Sequence, residues 1–213
     1  MAKKRSVRSA AAFARREPTR EPYDYILIVC EGAKTEPNYL HGLRTAYSLS
    51  SANIKIAHGG TAPRTIVEYT LAEMAKDNYN RAYCVFDRDG HQTYDEALQL
   101  IAPSDVGKNG RVLAITSWPC FEVWVLLHFA YTSAPFTATG KKSAGDRVLG
   151  EVVKRMASYT KGHKGIFEAL APRLKTALSN AERLEKHNAA TQTTNPHTKM
   201  HRLVAALTAL KKG

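Results

Sequence analysis

No apolar run in this chain is long enough to cross a bilayer, which excludes a membrane-spanning helix. Cysteine is scarce. Cys30, Cys84 and Cys120 are the only three; they lie in apolar contexts and no Cys-x-x-Cys spacing occurs. That excludes a disulfide scaffold and a thiolate zinc site, and predicts reduced core thiols in a cytoplasmic protein. Spaced glycines followed by Lys-Ser/Thr are missing, so the chain has no nucleotide-binding P-loop. No internal repeat is visible, and no Ser/His/Asp or Cys/His nucleophile arrangement stands out. His197 and His201 are four residues apart, but the glutamate of a zinc-protease motif is absent between them. Acids are outnumbered, with 19 Asp and Glu against 31 Lys and Arg, for a net charge of +12.

Among these few acids, some occupy telling positions. Ile26-Leu27-Ile28-Val29-Cys30 is an apolar strand that stops at Glu31-Gly32. Thr35-Glu36-Pro37 then carries the signals of a helix start: a capping hydroxyl, an acid for the dipole and a proline tolerated in the first turn. Ligands of open α/β sheets bind at the carboxyl ends of strands, which is where Glu31 falls. Gly32 is expected to let a phosphate approach the backbone. A second apolar strand, Cys84-Val85-Phe86, ends in Asp87-Arg88-Asp89-Gly90. Residues two apart in extended chain point the same way, so Asp87 and Asp89 present two carboxylates on one side. With neighbouring strands, Glu31 would face that pair, and three hard oxygen donors suit Mg²⁺ or Mn²⁺.

Glu-Gly after a first strand and Asp-x-Asp after a later one resembles the Toprim domain of topoisomerases, primases and OLD-type nucleases. The fuller strings Val29-Cys30-Glu31-Gly32-Ala33-Lys34-Thr35-Glu36-Pro37-Asn38-Tyr39, Val85-Phe86-Asp87-Arg88-Asp89 and Pro119-Cys120-Phe121-Glu122-Val123-Trp124 resemble the RloB-like family. The resemblance continues through Asn195-Pro196-His197-Thr198 and so covers most of the chain. Trp118 departs from it, standing where a small polar residue is expected. The resemblance implies a bacterial protein with a Toprim-like core, associated with restriction and phage defence.

The rest of the chain divides by composition. Residues 1–22 form a basic arm with Lys3, Lys4, Arg5, Arg8, Arg15 and Arg16 and no acid before Glu17. Residues 23–130 alternate strands and helices, which implies a mostly parallel sheet with helices on both faces. Strands are expected at 25–30, 53–57, 82–86 and 111–116, with helices after 35, over 63–76 and over 94–101. Residues 103–110 read as a loop. Pro119 opens a helix over 120–129 that is apolar nearly all round, with Glu122 its only charge near the start. A carboxylate there needs a partner: a metal, a proton or a cation. The alternatives are a fourth ligand or supporting base, against a helix-dipole or Arg partner. His128, six residues on, reads as a satisfied core histidine.

Residues 131–213 are read as a basic helical extension, reached through a linker over 132–145 that carries Lys141 and Lys142. Helices are expected near 147–158, 172–186 and 198–211, the last capped by Asn195-Pro196-His197-Thr198. Tyr159-x-Lys161 resembles a further family pattern, with base stacking and phosphate contact as its roles. The alternative is an ordinary surface loop. Both ends of the chain are basic. Residues 1–24 carry seven Lys and Arg against three acids, and residues 137–213 carry fifteen against five. Residues 25–136 carry nine against eleven.

An acidic centre between cationic flanks suits a polyanion. The expected fold is therefore α/β, a Toprim-like core with a C-terminal helical extension. The expected activity is a metal-dependent nuclease, cutting RNA (tRNA included) or DNA in anti-phage defence by abortive infection. Glu31, Asp87, Asp89 and Glu122 are its catalytic candidates, the first three as metal ligands. Lys34, Arg88, Lys141, Lys142 and Lys161 are the candidate nucleic-acid contacts, and a partner ATPase of a defence system fits the resemblance. Two alternatives compete. A haloacid-dehalogenase-like phosphatase would use the loop at Asp87 and the Thr116-Ser117 pair, but has His91 where it wants threonine and leaves Glu31 unexplained. A non-catalytic Toprim module would bind nucleic acid without cutting it.

Overall fold

The structure is a computed structural model that describes residues 24–50, 53–88 and 92–210. The basic arm and Asp89 lie outside the described residues.

Five strands form one sheet in the order β2-β1-β3-β4-β5. They are β1 (Ile26–Cys30), β2 (Ile54–His58), β3 (Arg81–Asp87), β4 (Val112–Trp118) and β5 (His197–Thr198). The first four run parallel, and β5 returns antiparallel along the end of β4. β1 lies inside the sheet, between β2 and β3, and is buried on both faces, hence its unbroken apolar run rather than an alternating one. The expected parallel sheet flanked by helices is present, as are the C-terminal helices.

Strand alternation sorts side chains onto two cores. Ile26, Ile28, Tyr83 and Val85 enter one, covered by α1 (Thr35–Ala46) and α5 (Glu122–Leu127). Leu27, Val29, Cys84 and Phe86 enter the other, covered by α2 (Pro63–Lys76) and α3 (Tyr94–Ile101). The first core is the larger because the chain's C-terminal helices join it: α6 (Ala144–Arg155), α7 (Ile166–Leu170), α8 (Leu174–Thr191) and α9 (Met200–Thr208). All three cysteines are free and buried, as their contexts predict. No described helix is long and apolar enough to cross a membrane.

Several details differ from the sequence reading. Thr35 does not cap α1; Lys34 holds the cap position with no side-chain bond, and Thr35 Oγ1 instead accepts the Gly162 N–H at 2.8 Å. The loop at 103–110 contains a one-turn helix, α4 (Asp105–Lys108), whose cap Ser104 accepts from Gly107 N–H at 3.0 Å. The linker is tied down: Phe136 N–H donates to Asn195 Oδ1 at 3.1 Å, and Asn195 Nδ2 donates back to Phe136 O at 2.8 Å. His197 lies in β5 and not on a helix, so it shares no helix face with His201. Its neighbour there is Thr116, while His201 meets Glu185 at 3.2 Å.

Candidate functional site

Parallel pairing sets Cys30 beside Val85, so β1 and β3 end together. The next residue on each ladder carries the chemistry. Glu31 N–H donates to Val85 O at 2.9 Å, and Asp87 N–H donates to Glu31 Oε2 at 2.9 Å. Asp87 follows Val85 on the larger-core side, toward α1 and α5. The acids Glu31, Glu36, Asp87 and Glu122 and the cations Lys34 and Lys161 line one cleft of about 480 Å³.

Glu36 is a site residue that the sequence reading took only for a dipole partner. It is 7 % exposed, and its carboxylate folds back over Gly32, where a Cβ would collide with it. The bare flank of Gly32 therefore admits Glu36 and not a phosphate, contrary to the expectation. Burial lifts the Glu36 carboxyl above the usual range, and the charges of Glu122 and Glu31 lift it further, against its own amide and Lys161. Asp87 is pushed up more strongly, by burial first and then by Glu36, Glu122 and Glu31. The cleft thus gathers like charges that its own cations do not balance.

Glu122 is 3 % exposed at the first turn of α5. Tyr159 Oη donates to its Oε1 at 3.1 Å, and Lys161 Nζ lies 3.9 Å from the same oxygen. Tyr159 is itself buried, so it positions Glu122 and offers no exposed ring for base stacking. Glu122 raises the Lys161 ammonium above its ordinary value, with Asp87 and Glu36 adding to it. The pairing of residues 122 and 161 answers the buried-acid question with a cation and a hydroxyl, both from beyond the sheet.

The other candidate contacts scatter. Lys141 and Lys142 are exposed in a turn closed by a Thr139–Lys142 bridge, and neither lines the acid cleft. Arg88 points to the opposite sheet face, its guanidinium 4.0 Å from the Trp118 ring centroid and 5.0 Å from that of Tyr94. His128 is a core residue as expected, its Nδ1–H donating to Trp124 O at 2.9 Å, but it is not fully satisfied, since its buried Nε2 has no hydrogen-bond partner.

Among the described residues, no three His, Cys, Asp or Glu side chains close into a ready metal-ligand set. The donor chemistry still fits a hard cation, because Glu31, Glu36, Asp87 and Glu122 crowd carboxylates into one partly buried cleft.

The RloB-like protein family model matches residues 26–207, most of the chain and every residue of this cleft. The chain belongs to the RloB-like family. No curated protein and no solved structure matches it. Within this RloB-like chain, the matched span runs from the first residue of β1 almost to the end of α9, so it takes in both the sheet and the helices that bring Tyr159 and Lys161 to the acids.

Proposed function

We propose that this RloB-like protein is a Toprim-type, metal-dependent nuclease acting on RNA, tRNA included, or DNA in anti-phage defence. One observation carries the proposal: four carboxylates, Glu31, Glu36, Asp87 and Glu122, meet at the strand ends, where burial and the neighbouring acids raise the carboxyls of Glu36 and Asp87. Such a cluster is costly unless a cation offsets it. Glu31 and Asp87 would hold Mg²⁺ or Mn²⁺, with Asp89 the further ligand that the sequence supplies. Bound there, the ion supplies charge to polarise a phosphodiester and to acidify a water.

The chain's own groups do the rest. Glu31 is aimed by the Asp87 amide. Glu36 sits deeper and can take up or release a proton beside the reacting phosphate, since its carboxyl is already shifted toward neutrality. Tyr159 fixes one oxygen of Glu122. Lys161 and Lys34, exposed at the rim, are placed to meet phosphate oxygens. The phosphatase alternative loses its second motif. Ser117 Oγ is bonded to Thr198 Oγ1 at 3.0 Å and Thr116 Oγ1 to His197 Nε2 at 3.0 Å, and both residues are buried, which speaks against their meeting a phosphate.

The test is incubation of the purified protein with Mg²⁺ or Mn²⁺ and separate pools of duplex DNA, single-stranded DNA, total RNA and tRNA. Cleavage of one pool that stops on chelation and in Glu31→Gln is the expected result. Metal-dependent binding with no cleavage of any pool would favour the non-catalytic module.

A further inference from the structure

A second cavity, of about 320 Å³, opens on the other side of the sheet between α3, α8 and the β4–β5 edge. Its size lies at the low end of small-ligand cavities. Arg88 and Lys199 are its cations, and Tyr94, Leu98 and Leu184 its apolar surfaces. The Arg88 guanidinium rests on Trp118 and Tyr94. Aromatic faces hold a guanidinium in place without neutralising it. Lys199 is half-buried; burial and the neighbouring Arg202 both hold its ammonium below the ordinary value. Among the described residues neither Arg88 nor Lys199 is ion-paired. The nearby Glu185 is taken up by Arg202 at 2.6 Å and His201 at 3.2 Å.

His197 sits between these charges. Its Nδ1 lies 2.9 Å from Thr194 O and its Nε2 3.0 Å from Thr116 Oγ1. That network fits a neutral ring with Nδ1–H donating. Burial lowers its pKa, and Lys199 and Arg88 lower it further. Two cations with no ion pair among the described residues, beside a histidine held neutral chiefly by burial, describe a place for an anion, with the carboxylates of Asp95 and Glu185 on the same lining.

The remaining surface says which anion. Beside the cations the cavity presents the half-buried Leu98, with Tyr94 (7 % exposed) and Leu184 (1 % exposed) buried behind it, an apolar patch that a bare phosphate does not use. Asn188 is held in place, donating to Pro196 O at 2.8 Å and accepting from Thr193 Oγ1 at 3.1 Å. Asp95, the cavity's other acid, suits a sugar hydroxyl donor and not a phosphate.

We propose that this cavity binds one nucleotide of a single strand, its phosphate between Arg88 and Lys199 and its base over Leu98 at the mouth. As a subsite of the nuclease it rests on the proposed function; as a nucleotide pocket it is open to test without cleavage. Recognition there is sequence-tolerant, because contact with the base face takes the place of edge hydrogen bonds. Arg88 directly follows Asp87 in β3 but faces the other way, so a strand laid over the sheet end can occupy both sites.

The experiment uses the full chain in EDTA, with adenosine 5′-monophosphate and uridine 5′-monophosphate as probes. Adenosine and inorganic phosphate form separate arms. Calorimetry measures binding, and NMR titration follows the His197 ring. Both nucleotides should bind within a few-fold of one another, and binding should raise the His197 pKa as the added anion offsets the two cations. Lys199→Met should weaken binding at least tenfold. Thr193→Trp, at an exposed rim position, should block the mouth without touching either cation, which covers the case of a Lys199 variant that misfolds. Adenosine binding as tightly as its monophosphate would remove the phosphate role. Inorganic phosphate binding as tightly as the nucleotides would reduce the site to a bare anion hole and overturn the proposal, as would no binding at all. Glu31→Gln should leave nucleotide binding intact. A wild-type protein that binds nucleotides but cuts nothing would therefore sink the nuclease and leave the pocket standing.

Discussion

Asp87 and Arg88 are consecutive, yet one enters a cleft crowded with carboxylates and the other a cavity it shares with Lys199, where neither cation is ion-paired among the described residues. The strand's two-residue alternation makes the division. On the acid side, like charges are forced together, and burial with that repulsion raises the carboxyls of Glu36 and Asp87. On the other side, the Arg88 guanidinium rests on the Trp118 and Tyr94 rings, and Lys199 stands near Glu185, which is itself paired with Arg202 and His201. The net charge of +12 says nothing of this; its separation across one sheet end is what gives the molecule two chemically distinct sites.

Breaking the acid side should have the largest effect. Asp87→Asn keeps the size and removes the charge, so metal-dependent cleavage should fall about a thousandfold or more, roughly 4 kcal/mol of barrier. Retained cleavage would remove Asp87 from the chemistry.

The next effect tests what lies beneath the acid face. His128 is 1 % exposed and burial holds its pKa down to about 4. The unfolded chain therefore binds a proton near pH 6.5 that the folded one refuses. Stability is full above that pH and is lost as pH falls toward about 4, by about 2–3 kcal/mol. Urea unfolding of wild type and His128→Leu across this range should show the slope in the first and a flatter line in the second.

Glu122→Gln sharpens the comparison, since Glu122 answers to a cation and a hydroxyl within the acid cleft. Activity should drop about ten- to a hundredfold, the range of groups that support a site from behind. A loss of stability with normal activity would make the Glu122, Tyr159 and Lys161 cluster purely structural. The smallest effect belongs to the other side. Arg88→Gln forfeits the contacts with Trp118 and Tyr94 and should cost about 0.5–1 kcal/mol in urea unfolding. The Mg²⁺ dependence of the melting temperature should stay unchanged; if it shifts, the two sides are coupled and not independent.

The parts legible in the sequence were local. The apolar run before Glu31, the strand ending at Asp87 and the proline at the start of α2 each announce their structure within a few residues. The parts that were not legible depend on distant pairing. β5 is only two residues long and exists because it meets β4, 81 residues away at the Ser117–Thr198 contact. Glu36 read as an ordinary helix-start acid because only the turn geometry folds it onto Gly32. Tyr159 looked like a surface ring until Glu122, 37 residues earlier, was found to receive its hydroxyl. Trp118, a departure from the family pattern, proves to be the platform under Arg88.

The clasp between α1 and the turn after Tyr159 has a consequence for biosynthesis. Thr35 accepts from Gly162, and Asn38 Nδ2 donates to Gly162 O at 3.0 Å. Lys161 stands 130 positions after Glu31. A ribosome adding about 5–20 residues per second delivers it roughly 7–26 s after the first acid. Until then the strand-end carboxylates have neither Tyr159 nor Lys161 beside them, so the cleft stays unfinished on the nascent chain, and a fragment terminated before that turn carries the acids without the groups that complete their site.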